Sequence, residues 1–111
     1  MFYVEKTFEI SASHQVNTDN GTKCEDLHGH NYKITVCCKS RELNNDGMVI
    51  DFTDIKKIVK NKIDHKHLNE IFKFNPTTEN LAKWIVDNVP HCYKAIVLET
   101  SNNKAIYEKD E

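Results

Sequence analysis

The chain reads as an α+β protein with a four-stranded antiparallel sheet and two helices on one of its faces, in the order ββααββ. Three observations predict this class. Two early segments, Tyr3 to Ala12 and Asn31 to Cys38, carry the β-branched and aromatic enrichment of strands. Two middle segments space their apolar residues at helical period. Two short apolar runs near the end, separated by polar residues, read as a closing hairpin.

The first two strands are joined by a polar loop from Gln15 to Leu27 that contains Asn20-Gly21, a turn signal. The first helix is expected to start near Thr53, a cap candidate after Val49-Ile50-Asp51-Phe52, and to bury Ile55, Ile58, Val59 and Ile63. The second is expected to start at Thr77 or Thr78, just after Asn75-Pro76, with Glu79 in its first turn. Its apolar face is Leu81, Ala82, Ile85, Val86 and Val89, with Trp84 on or beside it, and Pro90 stops it. Tyr93 to Thr100 and Ala105 to Glu108 then pair across Asn102-Asn103. A sheet of this kind leaves edges that invite pairing with other copies, so a homo-oligomer is expected.

A chain of 111 residues forms one domain, residues 1–111, with a modest core. Its 15 basic and 17 acidic residues are interspersed and give a net charge of −2, which excludes a nucleic-acid surface built on bulk charge. The apolar runs are too short for a membrane span, and no signal-peptide pattern is present, so a cytoplasmic protein is expected. Without an oxidising compartment the four cysteines are expected to be reduced. Cys37 and Cys38 are adjacent in a strand and face opposite ways, and Cys92 reads as packing.

Chemistry concentrates in Cys24-Glu25-Asp26-Leu27-His28-Gly29-His30. His28 and His30 alternate at the start of a strand, so both imidazoles leave the same face. If the first two strands form a hairpin, His14 joins them. Three histidines suit a catalytic zinc, which takes imidazole nitrogen at ~2.0–2.1 Å and keeps a fourth position open. Cys24, in a polar loop beside these ligands, is the candidate reactive thiol, because a nearby cation favours the thiolate. Alternatively, Cys24 is a fourth ligand of a purely structural zinc. Asp64-His65 follows the first helix and is either an oriented general acid or base or a basic helix cap. Glu99, at the end of the apolar strand Ala95 to Thr100, is either a solvated edge residue or an anchor for a guanidine-like pair of N–H donors.

Taken together these segments resemble the 6-pyruvoyltetrahydropterin and 6-carboxytetrahydropterin synthase family. The resemblance runs from Phe8–His14 through Cys24–Tyr32, Gly47–Phe52, Asp64–Asn69 and Asn75–Asn80 to Glu99-Thr100. It implies the tunnelling fold, with sheets from several chains closing an oligomeric barrel as a trimer or hexamer and active sites between subunits. It further implies zinc on His14, His28 and His30, proton transfer by Cys24, Asp64 and His65, Glu99 as the pterin anchor, and Thr77 and Thr78 in the pterin pocket.

Three residues between Cys24 and His28 resemble the 6-carboxytetrahydropterin synthases of queuosine (7-deazapurine) biosynthesis; the 6-pyruvoyl enzymes usually have five. The implied reaction converts 7,8-dihydroneopterin triphosphate to 6-carboxy-5,6,7,8-tetrahydropterin, acetaldehyde and triphosphate. Glu25, placed before His28-Gly29-His30 as in a subgroup serving folate synthesis, adds an alternative. That alternative is a bifunctional enzyme that also cleaves the substrate to 6-hydroxymethyl-7,8-dihydropterin with Glu25 as base, unless Glu25 is simply a solvated loop acid.

Overall fold

The computed structural model describes residues 1–16 and 28–110, with His28 described by its backbone alone. Two long strands form the centre of the architecture, β1 (Phe2–His14) and β2 (His28–Ser40), paired antiparallel in continuous register from Phe2↔Ser40 to His14↔His28. Alternation sorts their side chains: Phe8, Ile10 and Ala12 from β1 and Tyr32, Ile34 and Val36 from β2 are buried on one face. The opposite face carries polar pairs such as Thr7 and Thr35, whose hydroxyls lie 3.0 Å apart.

After β2 the chain turns at Asn44. The Asn44 side-chain oxygen accepts from the backbone N–H groups of Asp46 and Met48, and Gly47 takes φ 79°. Helix α1 (Phe52–Ile63) follows and buries Ile55, Val59 and Ile63, while Ile58 is partly buried at the core margin. Its cap is Asp51 rather than Thr53. The Asp51 carboxylate accepts from the Thr53 N–H at 2.8 Å, which places Thr53 inside the first turn.

Two residues, β3 (Lys66–His67), then run parallel to β1 with Ala12 opposite Lys66 and Ser13 opposite His67. A single-turn helix α2 (Leu68–Ile71) precedes α3 (Thr78–Asn88), which is capped by Thr77 and buries Leu81, Ala82, Ile85 and Val86. Strand β4 (Cys92–Thr100) pairs with β2, and β5 (Asn103–Glu108) pairs with β4 across a turn at Ser101-Asn102.

The α+β class and the order of the four main strands and two main helices agree with the sequence. The sheet does not: among the described residues its order is β3-β1-β2-β4-β5, so it is mixed and five-stranded there, and those residues form three helices. The reason is local. The chain leaving α1 is tied to the edge of β1 by the His65 N–H donating to the Ser11 carbonyl at 2.6 Å, and two residues of pairing follow. The final turn also lies one residue earlier than expected, because Asn103 pairs with Thr100.

One core cluster holds the inward residues of β1, β2 and β4 together with those of α1 and α3, so the helices cover one sheet face. Cys38 and Cys92 lie in that cluster; Cys37 is buried outside it; all three are free thiols. Among the described residues no helix is long and apolar enough to cross a membrane.

Candidate metal centre

His14 is the last residue of β1, and the hairpin register sets it opposite His28, with His30 opposite Ala12. Alternation places His14, His30 and Tyr32 on the helix-covered face, at the end of the core. His14 is 1% exposed, and its Nδ1 lies 2.7 Å from the carbonyl oxygen of Pro76. A carbonyl can only accept, so in the neutral ring Nδ1 carries the proton and Nε2 presents a lone pair.

That lone pair faces Glu99. Ala95, Val97 and Glu99 alternate onto the same face of β4, and the register irregularity between Leu98 and Thr100 is centred on Glu99. Its Oε2 lies 3.6 Å from His14 Nε2 and its Oε1 lies 3.4 Å from His30 Nε2. The donor atoms of His14, His30 and Glu99 all fall within 4.8 Å of one another. These separations are too long for short charge-assisted hydrogen bonds, which run about 2.7–2.9 Å. The two Glu99 separations come close to the edge of a tetrahedron with bonds of ~2.0–2.1 Å, which is about 3.3–3.4 Å, so the carboxylate and either imidazole are spaced as neighbouring ligands of a zinc-like ion.

The surrounding structure holds this geometry. Tyr32 is fully buried, with its ring edge-on to His14 at 5.8 Å and to His30 at 5.6 Å. Its hydroxyl has no hydrogen-bond partner among the described protein groups, and burial first, then the Glu99 charge, keeps it protonated far above the usual range. The start of α3 serves both sides of the site. Asn80 donates its side-chain N–H to the Asn75 carbonyl at 2.8 Å, bracing the turn that presents the Pro76 oxygen to His14. Thr78 donates its hydroxyl to Glu99 Oε2 at 3.2 Å. Thr77 instead accepts from the Asn80 N–H at 3.1 Å, as a helix cap. Beyond His14, Gln15 and Asn69 exchange two hydrogen bonds of 2.7 and 2.8 Å, pinning the end of β1 to α2.

Asp64 and His65 lie beside the other edge of β1. Asp64 Oδ1 accepts from the Ser11 N–H at 2.9 Å and is 3.2 Å from His65 Nδ1. Desolvation alone would raise the Asp64 pKa, but the Ser11 bond, His65 and Lys60 outweigh it and hold the carboxyl below its usual value. His65 has φ 59°, and its side chain is 80% exposed. It shares with His30, Ser11, Ser13, Lys66 and His67 an open cavity of about 470 Å³. Within one chain, then, His14, His30, Glu99 and Thr78 converge, while Asp64 and His65 are not part of that donor group. Cys24, Glu25 and the His28 side chain lie outside the described residues.

Sequence reasoning missed Pro76, Tyr32 and Asn69 as supports. Tyr32 was legible in principle, two residues after His30 on the same face; the others depend on distant contacts.

Residues 3–110 match the family model described as 6-pyruvoyl tetrahydropterin synthase. The chain belongs to this family. Among its relatives is the 6-carboxy-5,6,7,8-tetrahydropterin synthase of Bacillus subtilis, 32% identical over 96% of this chain and 84% of that one. Another is a dihydroneopterin monophosphate aldolase of Pyrococcus furiosus, 38% identical over 72% of this chain and 68% of that one. In structure, the 6-pyruvoyl tetrahydropterin synthase of Caenorhabditis elegans superposes with a TM-score of 0.77 at 25% identity, covering 98% of this chain and 96% of that chain. Family membership makes the convergence of His14, His30 and Glu99 the natural place to look for chemistry.

Proposed function

We propose that this protein is a zinc-dependent 6-carboxytetrahydropterin synthase acting on 7,8-dihydroneopterin triphosphate, placed in queuosine biosynthesis. It would release 6-carboxy-5,6,7,8-tetrahydropterin, acetaldehyde and triphosphate. The observation that carries the reading is the meeting of His14 Nε2, His30 Nε2 and the Glu99 carboxylate at 3.4–3.6 Å, in a chain 32% identical to a relative of that name.

His14, His28 and His30 would hold the zinc, which supplies Lewis acidity toward the side-chain hydroxyls of the substrate. His14 is oriented for this by Pro76. Glu99 anchors the donor edge of the pterin ring, with Thr78 holding the carboxylate and Thr77 shaping the pocket through the cap of α3. Cys24, as thiolate, moves protons on the substrate side chain, and His65, oriented by Asp64, exchanges them on the other side.

The exposed, outward-projecting His65 ring supports a homo-oligomer in which His65 serves a neighbouring subunit's site, completing it beside that subunit's Cys24. The edge strand β5, with Ile106 52% exposed, supports barrel closure through strand edges. A second reading, dual activity with Glu25 as the base for cleavage to 6-hydroxymethyl-7,8-dihydropterin, is favoured by the relative named as an aldolase.

The test is to incubate zinc-loaded protein with 7,8-dihydroneopterin triphosphate and identify the pterin by chromatography and mass spectrometry, for wild type, Cys24→Ala and Glu25→Ala. We expect 6-carboxytetrahydropterin, lost with Cys24. A hydroxymethyl product lost with Glu25 would establish the second reading, and no turnover would leave only a structural metal.

A further inference from the structure

The two roles that Glu99 is placed to fill exclude each other. Pairing with the donor edge of a 2-amino-4-oxopteridine takes both carboxylate oxygens, in the parallel two-bond arrangement that Arg makes with carboxylates. Yet both oxygens are already directed at the imidazoles, Oε2 toward His14 and Oε1 toward His30. With the His14 ring neutral and Nδ1 donating to Pro76, its Nε2 lone pair and the carboxylate are two acceptors facing one another. Such an arrangement repels unless a proton or a metal cation lies between them, and 3.6 Å is too long for a hydrogen bond through a shared proton. The 3.4 and 3.6 Å separations are those of neighbouring ligands on one tetrahedral ion.

We propose that Glu99 is itself a ligand of the metal in the resting protein, and that binding of the pteridine ring draws it off. The inference rests on the metal-centre reading above. In the resting state Glu99 fills a position on the metal beside His14 and His30 and so keeps the substrate's side chain from it. When the ring arrives, the carboxylate exchanges the metal for two ring N–H donors, and the position it leaves becomes open to the substrate's side chain. No bond of the substrate changes in this step.

Two structural features suit such an exchange. Glu99 is 22% exposed, unlike fully buried Tyr32, so its carboxylate can turn. It also lines a second cavity of about 460 Å³ with Thr78, Asn102, Asn103 and Lys104, where a ring can reach it. The Thr78 hydroxyl, 3.2 Å from Oε2, holds the carboxylate in position for either partner.

The test measures metal binding rather than turnover. Zinc affinity is determined by chelator competition for the full-length wild type, Glu99→Gln and His14→Ala, and visible absorption is recorded for the cobalt(II)-loaded proteins with and without 2-amino-4-oxopteridine. Circular dichroism confirms that each variant is folded. We expect Glu99→Gln to lose more zinc affinity than the about 10–100-fold typical of removing an outer-shell partner. We also expect its cobalt spectrum to differ from wild type, and pteridine added to wild type to reproduce that difference.

Wild-type zinc affinity and an unchanged cobalt spectrum in Glu99→Gln, with binding abolished in His14→Ala, would overturn this inference and leave the metal-centre reading standing. Pteridine that binds wild type without moving the cobalt spectrum would overturn the exchange. Failure of wild type to bind zinc at all would overturn both.

Discussion

Adjacent threonines at the start of α3 should separate stability from site chemistry. Thr77 accepts the Asn80 N–H at 3.1 Å in an exposed position, and loss of such a cap costs 0.5–2 kcal/mol, about 1 kcal/mol typically. For a domain of this size that lowers the melting temperature by about 4 °C. Thr78 makes no cap; its hydroxyl serves Glu99, a 22% exposed carboxylate that water can resatisfy, so its loss should cost well under about 1 kcal/mol. Thr77→Ala should therefore melt earlier, with Thr77→Ser restoring the midpoint. Thr78→Val should melt as wild type while weakening the hold on whatever Glu99 contacts, read as zinc or pteridine affinity. Calorimetry and chelator competition on the same four proteins decide the matter. Equal melting points for Thr77→Ala and wild type, or a Thr78→Val protein destabilised with unchanged affinities, would refute the division of labour.

The folded-state pKa of Asp64 is depressed, so its contribution to stability is fully present above its unfolded value of about 3.9 and is lost as pH falls through the folded value. Urea titrations across acid pH should show the margin of wild type over Asp64→Asn shrinking as pH falls from about 4 through the lower folded-state value; a margin that stays constant across that range would contradict the assignment. Tyr32→Phe removes a buried hydroxyl that lacks a protein partner, so it should be neutral or stabilising by about 1 kcal/mol, whereas a comparable loss in a melting scan would reveal a partner. Burial pushes the Cys37 thiol up to about 11, with the Glu5 charge adding to it, while a hydrogen bond to Cys92 and burial raise Cys38 further. Mass spectrometry after brief iodoacetamide treatment at pH 8 should find Cys37 and Cys38 unmodified in the native protein and labelled once it is unfolded.

Much of this molecule was legible along the chain. Strand alternation and helical spacing are local geometry, so the inward sets Phe8-Ile10-Ala12 and Leu81-Ala82-Ile85-Val86 follow from order alone. The spaced pair His28 and His30 could be assigned to one face for the same reason, and His14 joined them because a hairpin has few registers. Capping was read less well. Both Asp51 and Thr53 are good caps, and choosing between them required knowing which residue stays extended against buried Val49 and Ile50.

By itself, then, the sequence determined the α+β class, the order of the main elements and the shared face of His14 and His30, each expressed through contacts between near neighbours. Tertiary structure alone decided the rest. His14 is oriented by Pro76, 62 residues away, and Thr78 steadies Glu99 from across the helix–sheet interface. The two-residue strand β3 exists only because the chain leaving α1 passes beside Ser11. Glu99 meets the histidines because packing β4 against β2 brings their ends together, and no periodicity encodes which distant side chains a shared core will place face to face.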